Sequence, residues 1–436
     1  MEVFLVGGFV RDTLLGLSPN DRDYVVVGES PESMLAKGFT QVGGHFPVFL
    51  HPETQEEYAL ARQEVSTGDG YGDFTYNWDG VSLEMDLSRR DLTINAMAID
   101  TNGEVVDLFG GVADLNARLL RHVGPAFVED PLRIMRVARL SAVLGFDIAY
   151  ETMALMKEMV AKGMLQALPG ERVWKETEKA LLSKEPSRYF KVLKECGALH
   201  VWFPELDLMD RVPQRPDYHA EGDVWVHTLM VLDESVPLTM HLDRERCLRV
   251  RYATLTHDFG KLGTPQKLLW ADDGELLGKH HGHEDPDRFG PFLMAFSNRI
   301  KVPTRLRKFA HVVSVIHQNV HSIKKMSPKG LVSLFDKVGG NRSIRDDEYY
   351  LEDLSIACLA DSLGRLITKE DGSLAQIPGY PQGQYFIDTM TLINNVDAGE
   401  IMQKELAKRW PVKKALESVR SARSKAVAPY VRSHKS

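Results

Sequence analysis

Apolar and polar positions follow two different grammars along this chain, and the change falls near residue 112. Before it, short apolar runs are bounded by Gly, Pro, Asn and Asp, the pattern of strands joined by turns. Residues 3–6, 25–27, 46–50, 57–62, 94–99 and 105–107 read as strands in this way. Residues 10–15 read as a short helix that Gly16 stops, with a turn at Ser18-Pro19-Asn20. The stretch 66–76, rich in Gly, Asp and Tyr, reads as a loop.

After residue 112, apolar residues recur at spacings of three and four, which predicts helices. Examples are Leu115/Leu119, Ile134/Val137/Ala138 and Val173/Ala180/Leu181. Pro213 and Pro216 beside charged residues mark 212–223 as a linker, and 367–384 reads as a loop. The tail from 401 is basic. The expected class is therefore α+β, a small mixed α/β head followed by an all-helical remainder. The expected segments are 1–111, a helical neck and body at 112–211, a His-rich helical region at 224–330, and a C-terminal region at 331–436.

Composition changes this picture little. With 436 residues the chain is long enough for several domains. The formal net charge of −8 offers no global attraction to nucleic acid, so any such contact needs local basic patches. Cys196, Cys247 and Cys358 are widely spaced and suggest neither a disulfide framework nor a zinc site. That usage suits a reducing cytoplasm. No apolar stretch approaches the roughly 20 residues that span a membrane, and Arg11-Asp12 interrupts the first apolar run, against a signal peptide.

The chemistry begins at Gly7-Gly8. Paired glycines after a strand let backbone N–H groups come close to an anion. In the next strand, alternation puts Asp21 and Asp23 on one face and Arg22 on the other. Two adjacent carboxylates repel unless a cation neutralises them, and Mg²⁺ held by carboxylates and substrate phosphates meets that need. A strand end with two solvated acids is the bland alternative. Glu57 alternates onto one face with Ala59 and Ala61; by pattern alone it is an ordinary exposed acid.

Further on, Arg89-Arg90-Asp91 precedes a strand, and guanidinium groups match phosphate geometry. Asp130 and Pro131 start a helix on which Arg133, Arg136 and Arg139 share a limited arc, opposite Ile134, Val137 and Ala138. Such an arc suits an anionic partner or a salt-bridged surface helix. Downstream, His227, His257-Asp258, Lys261 and His280-His281-Gly282-His283 form a set of metal-ligand type. Asp361 is a further candidate ligand without a place in that set.

These motifs together resemble the nucleotidyltransferase signature of the polymerase-beta superfamily. Over about residues 1–330 the chain resembles the class II CCA-adding enzymes, tRNA nucleotidyltransferases, of the bacterial multifunctional kind that carry an HD domain. The resemblance implies CCA addition to tRNA from CTP and ATP without a nucleic-acid template. Asp21, Asp23 and Glu57 would be catalytic, with Mg²⁺ on the aspartates. Gly8, Arg11, Arg90, Asp91, Asp130, Arg133, Arg136 and Arg139 would bind the nucleotide, Asp91 through the ribose and Asp130 with Arg133 through the base edge. In the HD segment His227, His257, Asp258 and His283 would hold a divalent transition metal of the Ni, Mn or Co type. Phosphatase, 2′-nucleotidase and 2′,3′-cyclic phosphodiesterase activities would follow. The expected partners are tRNA, CTP and ATP without a membrane, in a cytoplasmic monomer or homodimer. A poly(A) polymerase of the same superfamily is the nearest alternative. A phosphohydrolase or regulatory nucleotidyltransferase dominated by the HD domain is the next.

Overall fold

The computed structural model describes residues 1–19, 22–42, 48–66 and 74–434. The chain divides into two compact units, Met1–Pro169 with Arg188–Val201, and Gly170–Ser187 with Trp202–Ser436. The first is a mixed α/β head with helices after it; the second is almost wholly helical.

In the first unit the strands are β1 (Glu2–Val6), β2 (Asp23–Val27), β3 (Thr40–Val42), β4 (Val48–Leu50), β5 (Glu57–Leu60), β6 (Gln63–Ser66), β7 (Phe74–Asn77), β8 (Met97–Ile99) and β9 (Val105–Asp107). Among the described residues seven of them form one sheet in the order β3-β4-β5-β2-β1-β8-β9. β2 and β5 run parallel with Asp23 opposite Glu57, and β1 runs antiparallel to both β2 and β8. The run of valines in β2 is explained by burial on both faces. Val25 packs with Val6, Ala61, Leu87 and Ala98. Val26 packs with Met34, Phe49 and Leu60 on the other side. The apolar character stops at Asp23, which is exposed.

The helix Gly8–Leu14 follows β1 directly, turned by Gly7 at φ 72°. The helix Leu132–Leu144 starts where Asp130 Oδ1 accepts the Leu132 N–H at 2.9 Å, and ends at Gly145 with φ 68°. Its buried face holds Ile134, Val137, Ala138 and Ser141, leaving the three arginines on the more open side.

In the second unit the helices Val224–Thr239, Arg244–Thr256, Thr304–His321 and Tyr350–Leu363 pack against one another. Asp223 and Asp243 cap the first two, each accepting backbone N–H groups of the first turn. Apolar residues such as Leu232, Val250, Ile316 and Leu354 are fully buried between them. The three cysteines are buried and unpaired. Among the described residues no helix is long and apolar enough to cross a membrane.

Several expectations need correction. The stretch read as a loop at 66–76 instead contributes to a hairpin, β6 with β7, in register Ser66 to Phe74; residues 67–73 lie outside the described ones. The strand expected at 94–99 begins as a 3-10 turn, Thr93–Asn95, with β8 only from Met97. The supposed linker at 212–223 is packed structure. Gln214 is 4% exposed, and its amide donates to the carbonyls of Gly222 and Asp223. The supposed loop at 367–384 contains the strand Leu374–Gln376, paired with Leu366–Thr368, and the start of the helix Pro381–Asn394. Prolines and glycines mark turns in these stretches but say nothing about what packs beneath them. The basic tail is largely the helices Ala398–Ala407 and Val412–Ser433, where Arg423 is buried over the Phe335 ring and Arg420 pairs with Asp336.

Candidate active sites

The first candidate site lies in the head. Asp21 is outside the described residues. Asp23 and Glu57, both exposed, are register partners at the ends of β2 and β5. They line one cleft with Phe9, Thr13, Arg22 and Glu56. The Gly7-Gly8 turn is held close to them. A Cβ on Gly7 would stand 3.9 Å from Asp23 Oδ2 and 3.2 Å from an Arg90 guanidinium nitrogen, and one on Gly8 would stand 3.4 Å from Arg11. Gly7 therefore answers two demands, a positive φ and room for Arg90.

Around this turn the cations are ordered by buried partners. Arg90 and Arg89 both pair with Asp86, which is 1% exposed, at 3.2 and 2.8 Å. Burial would raise the Asp86 carboxyl, but the two guanidinium groups outweigh it and hold it below the usual range. Arg11 donates to Asn95 Oδ1 at 2.7 Å. Asn95 in turn donates to Asp91 Oδ1 at 3.0 Å.

Asp91 ties this network to the arginine helix. Its Oδ1 also accepts the Leu92 N–H, and its Oδ2 accepts from Arg136 at 2.8 Å. Burial pushes the Asp91 carboxyl up, yet Arg136 and Asn95 bring it down to about 2. Arg133 is pinned by two carbonyls, those of Ala126 at 2.6 Å and Arg89 at 2.7 Å. Arg11, Arg90, Asp91, Arg133 and Arg136 thus join one connected network, with Gly8 packed close to Arg11 and Asp23 close to Gly7. Asp130 sits at the start of the same helix and Arg139 is half-buried farther along it. The donor set, carboxylate oxygens facing a cleft beside guanidinium groups, suits a hard cation with a polyphosphate.

The second candidate site is a buried cluster in the other unit. His227 Nε2 lies 3.1 Å from Asp361 Oδ1 and 3.6 Å from Asp258 Oδ2. His257 Nε2 lies 3.2 Å from Asp258 Oδ2 and 3.6 Å from Asp361 Oδ1. His283 Nε2 approaches Asp258 Oδ1 at 3.4 Å and His317 Nε2 at 2.9 Å. All four sequence-predicted ligands come together here, and Asp361 takes a central place among them.

Sequence reasoning missed His317, His321, Glu221 and Tyr380. His321 Nε2 contacts Asp361 Oδ2 at 2.6 Å, and Tyr380 reaches its Nδ1 at 2.9 Å. Glu221 accepts from His227 Nδ1 at 2.9 Å and from His219 at 2.7 Å. His317 and His321 are spaced i, i+4 on one helix, a metal-site signal present in the sequence. Glu221 and Tyr380 lay in stretches read as linker and loop.

The cluster sets buried carboxylates against buried imidazoles. The Asp258 and His257 side chains are each 1% exposed. Neither Asp258 oxygen nor His257 Nε2 has a directed hydrogen bond, although Lys261 Nζ stands 2.8 Å from Asp258 Oδ2. Burial pushes the His257 imidazole down, but Asp258 and Asp361 outweigh it and pull it up to about 10. Burial keeps His317 well below its ordinary value and therefore neutral. Buried, orphaned imidazole and carboxylate donors of this kind fit a borderline divalent metal.

Comparisons with known proteins agree with the architecture. Residues 3–121 match the family model described as "Poly A polymerase head domain". Residues 145–209 match one described as "Probable RNA and SrmB- binding site of polymerase A". A solved CCA-adding enzyme in complex with ATP is 21% identical at a TM-score of 0.60, covering 98% of this chain and 86% of its own. Another structure, with CTP, is 21% identical at a TM-score of 0.59, covering 98% and 87%. The Thermotoga maritima CCA-adding enzyme complexed with tRNA is 19% identical at a TM-score of 0.55, covering 97% and 91%. This chain therefore carries a head that matches the poly(A) polymerase head domain, within a mixed α/β and helical fold shared with CCA-adding enzymes of solved structure.

Proposed function

We propose that this protein is a tRNA nucleotidyltransferase that adds C, C and A to the tRNA 3′ end from CTP and ATP without a nucleic-acid template. The observation that carries the reading is the register of Asp23 opposite Glu57 beside the Gly7-Gly8 turn and Arg90. In this reading residues 1–111 do the chemistry and 112–211 read the nucleotide and hold RNA. Residues 224–330 form a metal-dependent phosphohydrolase, and 331–436 complete it.

The terminal hydroxyl of the tRNA attacks the α-phosphorus and pyrophosphate leaves. Asp23 with Glu57 and Asp21 would hold Mg²⁺, whose chemistry when bound is activation of the attacking oxygen and neutralisation of the leaving group. Arg90 and the Gly8 amide orient the triphosphate, and Arg11 steadies that turn through Asn95. Arg133, fixed by its two carbonyl acceptors, and Asp130 address the Watson–Crick edge. A carboxylate accepts from the exocyclic amine that C and A both present. Both Asp91 oxygens already accept from the protein, so its part in nucleotide binding is exerted through Arg136. Arg136 and Arg139 meet phosphate and the remaining edge. The similarity to CCA-adding enzymes solved with ATP, CTP and tRNA supports this substrate set.

The test is incubation of end-trimmed tRNA with Mg²⁺ and each nucleotide, alone and mixed. CTP alone should give CC ends and the mixture CCA ends, with UTP and GTP left unused. Adenylate tails grown from ATP without use of CTP would make the protein a poly(A) polymerase instead. A second activity is favoured by the buried His/Asp cluster: hydrolysis of phosphate esters, including 2′,3′-cyclic phosphates, with Ni²⁺, Mn²⁺ or Co²⁺. Residues 258 and 361 would hold that metal together with the surrounding histidines.

A further inference from the structure

We infer that Tyr218 and Arg365 select the substrate at the mouth of the His/Asp cluster: a nucleoside phosphate, its base stacked on the Tyr218 ring and its phosphate held by Arg365. This rests on the phosphohydrolase reading and deepens it. An opening of about 440 Å³ leads to the cluster. Lys261 and His283 line its inner end, and both also approach Asp258, at 2.8 and 3.4 Å. Arg215 and Tyr218 line its outer end, where Tyr218 is 57% exposed.

Hydrogen bonds fix the walls of this opening to one another. The turn that carries Tyr218 is tied to the backbone just after Arg365. The Ala220 N–H donates to the Leu366 carbonyl at 3.0 Å, and the Leu366 N–H donates to Glu221 Oε2 at 2.9 Å. The segment before His283 is tied to the same turn. His280 Nε2 faces the Pro213 carbonyl at 3.0 Å, and a Cβ on Gly278 would stand 2.7 Å from the Arg215 backbone nitrogen. Within the turn, the Tyr218 N–H donates to the Arg215 carbonyl at 3.1 Å, and the Arg215 guanidinium lies 5.1 Å from the Tyr218 ring centre. The ring is thus held in place while more than half of the residue meets water. An aromatic side chain fixed and exposed beside a cationic opening is a stacking platform for a base.

Charge supplies the second half of the argument. Arg215, Lys261, Lys279 and Arg365 line the opening against one acid among the described lining residues, Glu284. Arg365 is placed for the phosphate. A terminal nitrogen of its guanidinium comes within 3.8 Å of Asp361 Oδ1, so it stands at the edge of the cluster, and its Nε is buried without a hydrogen-bond partner. The planar fork of a guanidinium matches phosphate oxygens. A phosphate fills only part of the opening, whose volume falls within the range of about 300–1,000 Å³ of small-molecule sites. The remaining room, with Tyr218 at its lip, suits a nucleoside; a sugar phosphate or a phosphorylated side chain would leave the ring unused. Hydrolysis then joins the oxygen of water to phosphorus and breaks the phosphorus–oxygen ester bond. The nucleoside hydroxyl leaves with the proton that water gives up.

The test uses the full chain loaded with Ni²⁺ and compares adenosine 2′-phosphate with glycerol 2-phosphate, two esters of a secondary alcohol of which only the first carries a base. The unsubstituted protein should favour the nucleotide in kcat/KM. Tyr218→Ala should cut that preference about 10-fold through the KM of the nucleotide, and Tyr218→Phe should keep it. Arg365→Ala should raise KM for both esters, with Arg365→Lys recovering part of the loss. A short RNA ending in a 2′-phosphate, run beside the mononucleotide, tells an RNA end from a free nucleotide by the lower KM; either source supplies the base. A preference that survives Tyr218→Ala, or an equal rise in KM for both esters in that variant, would overturn the inference. A second readout needs no metal. Saturation-transfer NMR on the metal-stripped chain should show the adenine protons of adenosine 2′-phosphate in contact with the protein, and an undiminished signal in Tyr218→Ala would equally overturn it. Hydrolysis of neither ester with Ni²⁺, Mn²⁺ or Co²⁺ would end the phosphohydrolase reading instead, and the NMR signal would then decide alone whether Tyr218 holds a base.

Discussion

Asp23 and Glu57 stand exposed at the ends of two parallel strands, whereas Asp258 and Asp361 are 1% and 2% exposed among His227, His257, His283 and His321. The same functional group thus serves under opposite conditions. In the head, the carboxylates remain hydrated and the fixed charges around them are guanidinium groups already ordered by Asp86 and Asp91. Little charge is left without compensation, and a weakly held ion that keeps several waters and arrives with its triphosphate suits such a place. In the cluster, Asp258 and the His257 Nε2 are buried without directed hydrogen bonds, and Lys261 faces Asp258 as a fixed cation. On the proposed reading, one site receives a charged substrate and the other retains an ion.

The sharpest way to break that comparison is to remove one carboxylate from each region. Asp23→Asn should lower nucleotide addition by about 10²–10³-fold or more and leave ester hydrolysis unchanged. Asp258→Asn should do the reverse. Product length on end-trimmed tRNA and p-nitrophenyl phosphate hydrolysis measure the two. Loss of both activities in either variant would mean that the sites are not independent.

Metal removal gives the next effect. A ligand that binds only the folded state at a hundred times its Kd stabilises it by about 2.7 kcal/mol. For a unit of this size that is a rise in Tm of roughly 5–10 °C. Ni²⁺ or Mn²⁺ added to chelator-treated protein should produce such a rise in the transition of the histidine-bearing unit. His257→Ala should abolish it, and Asp23→Asn should not. An equal rise in both variants would place the stabilising ion elsewhere.

The difference between the regions also explains what could be read from the sequence. The head's features are local. Gly7-Gly8, the alternation through Asp23 and the arginines at spacings of three on one helix are each complete within a few residues, and period two put Glu57 on a definite face. The register that sets Glu57 opposite Asp23 is not local, but the apolar runs on both sides limit it. The histidine cluster draws on Glu221, His227, His257, His283, His317, Asp361 and Tyr380, which meet because four helices and the turn segments that carry Glu221, His283 and Tyr380 pack together. His317 and His321 sit on a helix whose buried side also carries Val313, Ile316 and Val320, so they blend into an apolar stripe. Glu221 and Tyr380 lie beside turn residues, and a turn signal describes the backbone path without saying that the segment covers a polar core.

A smaller effect tests whether the head's order comes from its buried ion pair. Arg136→Ala leaves Asp91, 6% exposed, with only Asn95 and the Leu92 N–H, and should destabilise the first unit by about 1–3 kcal/mol. Asp91→Asn should cost less, because the freed Arg136 side chain, 39% exposed, can turn to water. The sign of the pH dependence follows from the depressed Asp91 pKa of about 2. A carboxyl lowered on folding contributes stability that is fully present above its unfolded value near 3.9 and is lost as pH falls through the folded value. Urea unfolding of the parent and of Arg136→Ala should therefore differ most at pH 5–6, and the gap should close as pH approaches 2. A gap that stays constant from pH 6 to pH 2 would mean that Arg136 acts through packing alone, and that the head's cations are not ordered by the acids beneath them.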